Sequence, residues 1–344
     1  MLGRMKFRLL ALAIAAALLL SACSDDGSSS DPSAKNGDSE KLVEISPLTG
    51  QPLPDGQPDN PVFVVKVENT ANGAPQYGVD QADLVVEELV EGGLTRLAAL
   101  YYSKLPSKVG HVRSLRTTDI GIAKPVGGKV VASGGAAKAA RQLRSAGVRI
   151  LGMSSPGFSR DAKPAPYNVI VNLKRLGESA KKNSIPGPYL SWTPPEGSEK
   201  ETPSPDPSDS ASAAPEPKKT TKANVRFSNS RGTNWKFAGG HWTRKNGHAA
   251  PGQEFEADTL IVMFCQVGDA GYRDPAGNPV PETVVEGSGR AVVLHDGTAT
   301  EATWNKPSID DTISFETEDG QPLTIDPGKV WLEMVPKGKG KVNY

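Results

Sequence analysis

The stretch 84–102, Leu-Val-Val-Glu-Glu-Leu-Val-Glu-Gly-Gly-Leu-Thr-Arg-Leu-Ala-Ala-Leu-Tyr-Tyr, decides how the rest of the chain is read. Two apolar-rich runs flank Gly92-Gly93, a pair suited to positive φ, and this is the pattern of a β-hairpin. A two-residue turn at the glycines sets Glu91 opposite Leu94, Leu89 opposite Arg96 and Glu87 opposite Ala98. Directly opposed residues share a face, and every second residue along a strand returns to it. Glu87, Glu91 and Arg96 are therefore expected together on one sheet face. Arg113 and Arg116 follow on the next segment and can return to the hairpin. Carboxylates beside arginines can bind a polar ligand, hold one carboxyl protonated for acid catalysis, or simply lock the sheet with ion pairs.

Outward from the hairpin, the first half mixes strands and helices. Val62–Val67 reads as a buried strand, Lys129–Ala132 and Val148–Leu151 as shorter ones, and Ala136–Ser145 and Asn172–Asn183 as helices. Ser133-Gly134-Gly135 joins a strand to a helix. That is either a tight turn or a backbone cradle for an anion. From about 223 onward the chain is strand after strand, at Val225–Ser228, Asp258–Val267, Arg290–His295, Thr298–Trp304, Thr312–Glu316 and Lys329–Val335. The expected fold class is α+β: a mixed α/β domain at 42–192, then a mainly antiparallel β sandwich or barrel at 223–344. Between them, 193–222 is dominated by Pro, Ser, Glu and Lys. Nine of the 29 prolines fall between Pro186 and Pro217, so this stretch reads as a disordered spacer.

The chain has 344 residues, with 39 basic and 39 acidic side chains. Arg4, Lys6 and Arg8 are the only charges among the first 22 residues, so from Cys23 onward acids outnumber bases by three. A nucleic-acid partner calls for a basic surplus and is excluded. The apolar run Leu9–Leu20 is short of the ~20 residues that span a bilayer. With its basic start it reads as a secretory signal over 1–22. Leu20-Ser21-Ala22-Cys23 resembles the bacterial lipobox, which makes Cys23 the lipidation site, carrying acyl chains such as palmitate and tying the protein to a membrane. Residues 23–41 hold little that is apolar and read as a flexible tether. The second cysteine, Cys265, lies in the apolar Thr259–Cys265 run and reads as an inert core residue.

The stretch 69–116 also carries a specific resemblance. Asn69, Pro75, Gly78, Ala82-Asp83, Glu87, Val90-Glu91-Gly92-Gly93, Thr95-Arg96 and Val112-Arg113-Ser114-Leu115-Arg116 resemble the YerB-like lipoprotein family. Ser133-Gly134-Gly135 and Ala165–Asn168 fit it too. In the second half so do Trp235, Arg244 with Gly247, Gly287 to Ala291, Gly297, Thr303-Trp304 and Trp331. The resemblance implies a lipoprotein on the outer face of a Gram-positive plasma membrane, with no established reaction. Where such proteins often have histidines, this chain has Ala132 and Tyr167. Asn69 joins Glu87, Glu91, Arg96, Arg113 and Arg116 as a candidate binding residue.

Complete catalytic motifs are absent. There is no phosphate loop, no Gly-x-Gly-x-x-Gly, no His-Glu-x-x-His and no Gly-x-Ser-x-Gly. Ser179-Ala-Lys-Lys182 matches Ser-x-x-Lys but has no Lys-Thr-Gly partner. His111, His241, His248 and His295 lack metal-ligand spacing, and neither a metal nor a cofactor is expected. Trp235, Trp242, Trp304 and Trp331 read as packing residues rather than a sugar platform. The expectation is a membrane-tethered, non-enzymatic envelope protein. Its partner would be a protein, such as a cell-wall assembly protein, or a polar glycan, such as peptidoglycan. The competing expectation is an enzyme acting on cell-wall polymer through Glu87 or Glu91. A transporter's solute-binding lipoprotein fits less well, because its usual two α/β lobes conflict with an all-strand second half.

Overall fold

Phe63-Val-Val-Lys-Val-Glu68 is buried along its whole length, which requires cover on both faces of the sheet to which it belongs. The computed structural model describes residues 44–180, 184–195 and 217–344. The signal and tether expectations at 1–22 and 23–41, Cys23 among them, lie outside the described residues, as does 196–216 of the spacer. The strands that position the candidate residues are β1 (Phe63–Glu68), β2 (Leu84–Leu89), β3 (Thr95–Tyr101) and β4 (Lys129–Val131) in the first half. In the second half they are β5 (Gly232–Ala238), β6 (His241–Arg244), β7 (Thr259–Arg273) and β8 (Val330–Pro336).

Among the described residues, one thirteen-stranded sheet runs through both halves, with the central order β7-β8-β2-β3-β1-β4. The seam is parallel: β8 pairs with β2 from Leu84 against Val330 to Glu88 against Met334, and with β7 on its other side. β1 pairs with β4 in parallel, while β3 runs antiparallel to both β2 and β1. The fold is α+β with a strand-rich second half. The strands of that half extend a sheet begun by the first half, rather than closing only on one another.

Each face has its own core. Val64, Val86, Ala98 and Leu332 pack beneath Ile122 of α1 (Asp119–Ala123) and Ala139 and Leu143 of α2 (Ala137–Ser145). On the opposite face Val65, Leu97, Val262 and Trp331 pack with Trp235 and Trp242 of a five-stranded sheet, and with Leu173 and Leu176 of α3 (Leu173–Ser179). Asn172 caps α3, accepting from the Arg175 N–H at 3.1 Å. Trp235, Trp242, Trp304 and Trp331 are all buried and make no aromatic platform. Cys265 is buried too, and burial pushes its thiol up to about 12, as an inert core residue requires. The spacer is ordered at its ends: Thr193 donates its N–H to the Ile325 carbonyl, and Lys218-Lys219 pairs with Thr298-Ala299. No helix among the described residues is long and apolar enough to cross a membrane.

Candidate functional site

The hairpin is present, but its register differs by one residue from the two-residue-turn expectation. Glu91, Gly92 and Gly93 together form the loop, closed by the Val90 N–H on the Leu94 carbonyl at 2.7 Å. Gly92 and Gly93 both take left-handed φ, 69° and 71°. The extra loop residue pairs Glu87 with Leu97, Glu88 with Arg96 and Leu89 with Thr95. A slip of one flips every side chain to the other face. Arg96 therefore shares a face with Glu88, and Glu87 looks out on the opposite side. The candidate residues form two clusters, one on each face, at the carboxyl ends of β1, β2 and β8.

On the face covered by α1 and α2, Lys66 is fully buried and bonds both Glu88 and Asp119, the latter at 2.6 Å. Burial raises the Glu88 carboxyl; the Lys66 charge opposes this, and Asp119 reinforces it. Beside them the Arg116 fork holds Glu91, with Nε on Oε2 at 2.9 Å and a second bond to Oε1. The Arg116 backbone N–H donates to Asp119 at 2.7 Å. Burial pushes the Glu91 carboxyl up, but Arg116, joined by Arg96, outweighs it and holds it below the usual range. Arg96 lies 3.8 Å from Glu91 and donates to the Ser114 carbonyl at 3.5 Å; burial and the neighbouring Arg116 lower it. Arg113 meets Glu68 at 3.2 Å, and its guanidinium sits over the Tyr167 ring at 4.7 Å.

The Arg113–Arg116 segment is stitched in by its backbone. The Arg113 N–H donates to the Lys66 carbonyl, and the Leu115 N–H to the Gly134 carbonyl. A Cβ at Gly135 would stand 2.7 Å from Leu115, so the Ser-Gly-Gly turn has a packing reason for its glycine. Ser114, Arg116, Gly135, Tyr272, Arg273 and Asp274 line a cleft of about 380 Å³ to which both halves contribute.

On the opposite face Glu87 is saturated. Its Oε1 accepts from Asn69 at 2.9 Å and Thr95 at 2.6 Å, its Oε2 accepts from Arg244 at 2.8 Å, and Arg231 lies 3.9 Å away. Directly across the β2–β8 seam stands Glu333, accepting from the Trp235 indole at 3.0 Å. Burial, and next the Glu87 charge, push Glu333 up to about 8, so it is protonated at neutral pH. His111, an isolated histidine in the sequence, is buried, with Nδ1 on the Gly73 carbonyl and Nε2 on Asp161, each at 2.7 Å.

Glu68, Lys66, Glu88, Asp119, Arg231, Arg244 and Glu333 were missed as site members. Lys66 and Glu333 had a signal: each is a lone charge inside an apolar strand, which survives there only with a partner. Arg244 meets Glu87 across 157 residues of sequence, and Arg231 across nearly as many, and they leave no local trace.

Arg96 is 4% exposed, so Arg96→Ala, which strands Glu91 and Glu68 with one fewer cation, should cost about 3–5 kcal/mol in denaturant melts. A loss below about 1 kcal/mol is the behaviour of a solvent-facing pair and would overturn the scaffold role. For Glu333 the folded chain keeps a proton that the unfolded chain releases above 4.5. Its contribution to stability therefore falls as pH rises from 4.5 to about 8, and levels off beyond. Melting temperatures of Glu333→Gln should gain on wild type through that window; parallel curves would contradict the protonated carboxyl.

Comparisons with known proteins agree with this architecture. The crystal structure of YerB from Bacillus subtilis superposes with a TM-score of 0.68 at 21% identity, covering 88% of this chain and all of that one. YerB of Bacillus subtilis strain 168, named as a candidate lipoprotein, is 22% identical over 300 residues, 85% of this chain and 86% of the relative. Residues 48–186 match the N-terminal domain, and 223–332 the C-terminal domain, of the proteins of unknown function DUF3048, and the chain belongs to that family.

Proposed function

We propose that this protein is a lipid-anchored extracytoplasmic protein of the cell envelope, a non-enzymatic binder of a protein partner or a polar cell-wall glycan. The anchor is Cys23, at the end of the lipobox-like Leu20-Ser21-Ala22-Cys23, and the lipoprotein name of the Bacillus subtilis relative supports it. In this reading 42–192 and 223–344 are the two working halves, and 193–222 is the spacer between them.

One observation carries the binding role over the catalytic one: both candidate carboxylates are already filled. Glu91 is clamped by Arg116, and Glu87 accepts from Asn69, Thr95 and Arg244. The sheet lies between them, so they cannot flank one scissile bond as the paired carboxylates of a glycosidase do. The cleft beside Arg116, in which Arg116, Arg273 and Asp274 stand among apolar neighbours such as Pro275 and Val280, lies at the carboxyl ends of parallel strands, where open sheets of this kind take their ligands. It is the surface we assign to the partner or glycan.

Two experiments test the proposal. Cys23→Ser should abolish incorporation of labelled fatty acid in cells; label persisting in that variant would refute the anchor. The full chain, purified in detergent and mixed with isolated cell wall or membrane partners, should bind without releasing soluble product. Arg273→Glu, an exposed change at the cleft rim, should weaken that binding at least about tenfold with an unchanged melt. Product release by wild type, abolished in Glu87→Gln or Glu91→Gln, would establish the enzyme in its place.

A further inference from the structure

Behind Glu87, on the sheet face away from the cleft, lies a second cavity of about 120 Å³, lined by Gln76, Val79, Arg244, His248, Phe255 and Trp331. Both halves build its wall: the Gln76 N–H donates to the His248 carbonyl at 2.6 Å, and the Ala250 N–H to the Gln76 carbonyl at 2.9 Å. Three of the lining residues carry a buried nitrogen with no hydrogen-bond partner among the described residues. These are the second terminal nitrogen of Arg244, the indole Nε1 of Trp331 and Nε2 of His248. The Arg244 side chain is 6% exposed and Trp331 is 3% exposed. The Arg244 and Trp331 nitrogens can only donate, and donors sealed from water without an acceptor cost free energy, so a native structure that retains both calls for an acceptor.

The charge around the cavity has the matching sign. Arg231 and Arg244 both pair with one carboxylate, Glu87; burial and the Glu87 charge favour the protonated form of the neighbouring Glu333, and Glu68, which also acts on Arg231, is itself paired with Arg113. Burial, then these two arginines, hold His248 below its ordinary value and so neutral. Lys245 and Glu254 at the rim offset one another. Gln76 and Gln253 add neutral polar side chains, and the apolar part of the wall is Val79, Phe255 and Trp331, the two rings meeting edge to face at 5.6 Å. A bare phosphate or sulfate would press charge against those rings. A carboxylate with a short apolar body satisfies both ends of the cavity. The volume suits about six heavy atoms, since a cavity of roughly 150 Å³ holds benzene.

We infer that this cavity is a binding site for a small carboxylate with an apolar body, its oxygens held by Arg244 and Trp331 and its carbon chain lying against Phe255 and Val79. The carboxylate belongs either to a free small acid or to the C-terminus of a peptide ending in a small residue. The site goes beyond the proposed envelope role and stands whether or not the cleft on the other face binds a partner.

The test uses the full ¹⁵N-labelled chain in detergent and follows the indole N–H of Trp331, assigned with Trp331→Phe. Butyrate and the dipeptide Ala-Ala are titrated against butyramide, Ala-Ala amide and inorganic phosphate. A saturable shift of that signal with butyrate, with Ala-Ala or with both is expected, and which of the two acts identifies a free acid or a peptide terminus. The amides and phosphate should bind at least about tenfold more weakly. Arg244→Lys should abolish the response. Because that change also disturbs Glu87, Ala249→Leu, which fills the cavity and spares the ion pair, should abolish it with an undiminished melting temperature. The inference is overturned if neither carboxylate moves the signal, if the amides or phosphate match them, or if Ala249→Leu binds as wild type does.

Discussion

β8 enters the sheet between β7 and β2, parallel to both, and the other contacts of the molecule are arranged around that insertion. A strand with partners on both edges and cover on both faces has no exposed backbone, and every residue from Val330 to Pro336 is buried. Its alternation sends Leu332 and Met334 into one core and Trp331 and Val335 into the other. Neither half of the chain could complete its own apolar layer without it. The same pairing brings Glu333 beside Glu87 in a dry environment, where two like charges do not coexist. Arg244 and the Trp235 indole, both from the smaller sheet, compensate the pair. The polar cluster is thus a consequence of the strand order.

The sheet then acts as a partition between two electrostatic environments built from adjacent residues. Glu88 joins Lys66 and Asp119 in a dense ion-pair network, with Arg96, Arg113 and Arg116 balanced by Glu68 and Glu91. Glu87, one residue earlier, pairs with two arginines and leaves that side with an excess of positive charge. Networks of the first kind fix geometry, because loss of one member exposes the next to an unpaired charge. An unbalanced cluster beside a cavity has capacity left for an incoming group.

Much of this was legible in the sequence, and the boundary of legibility is physical. The hairpin at 84–102, the helix at 137–145 and most second-half strands follow from local patterning, which needs no knowledge of partners. The register did not, because Gly92-Gly93 suits a two-residue turn as well as the three-residue loop that Glu91 completes. That single residue decided which glutamate faces Arg96, and with it whether six candidates formed one cluster or two. Glu91, Arg96, Arg113 and Arg116 do converge, and Asn69 does meet Glu87. The arginines that complete the Glu87 cluster come from 231 and 244, and periodicity carries no information about contacts at that range. The shared sheet was hidden for the same reason: a parallel seam between distant strands leaves no turn to read.

The seam also sets the order of events in the life of the chain. β2 waits for a partner synthesised after nearly all of the described residues, and until Val330–Pro336 arrives its outer edge has nothing to pair with. Pairings so distant in sequence close late, since the loop entropy must be spent before the contact repays it. Because the closing strand lies so far along the sequence from β2, the centre of the sheet stays incomplete until both halves of the chain have been made.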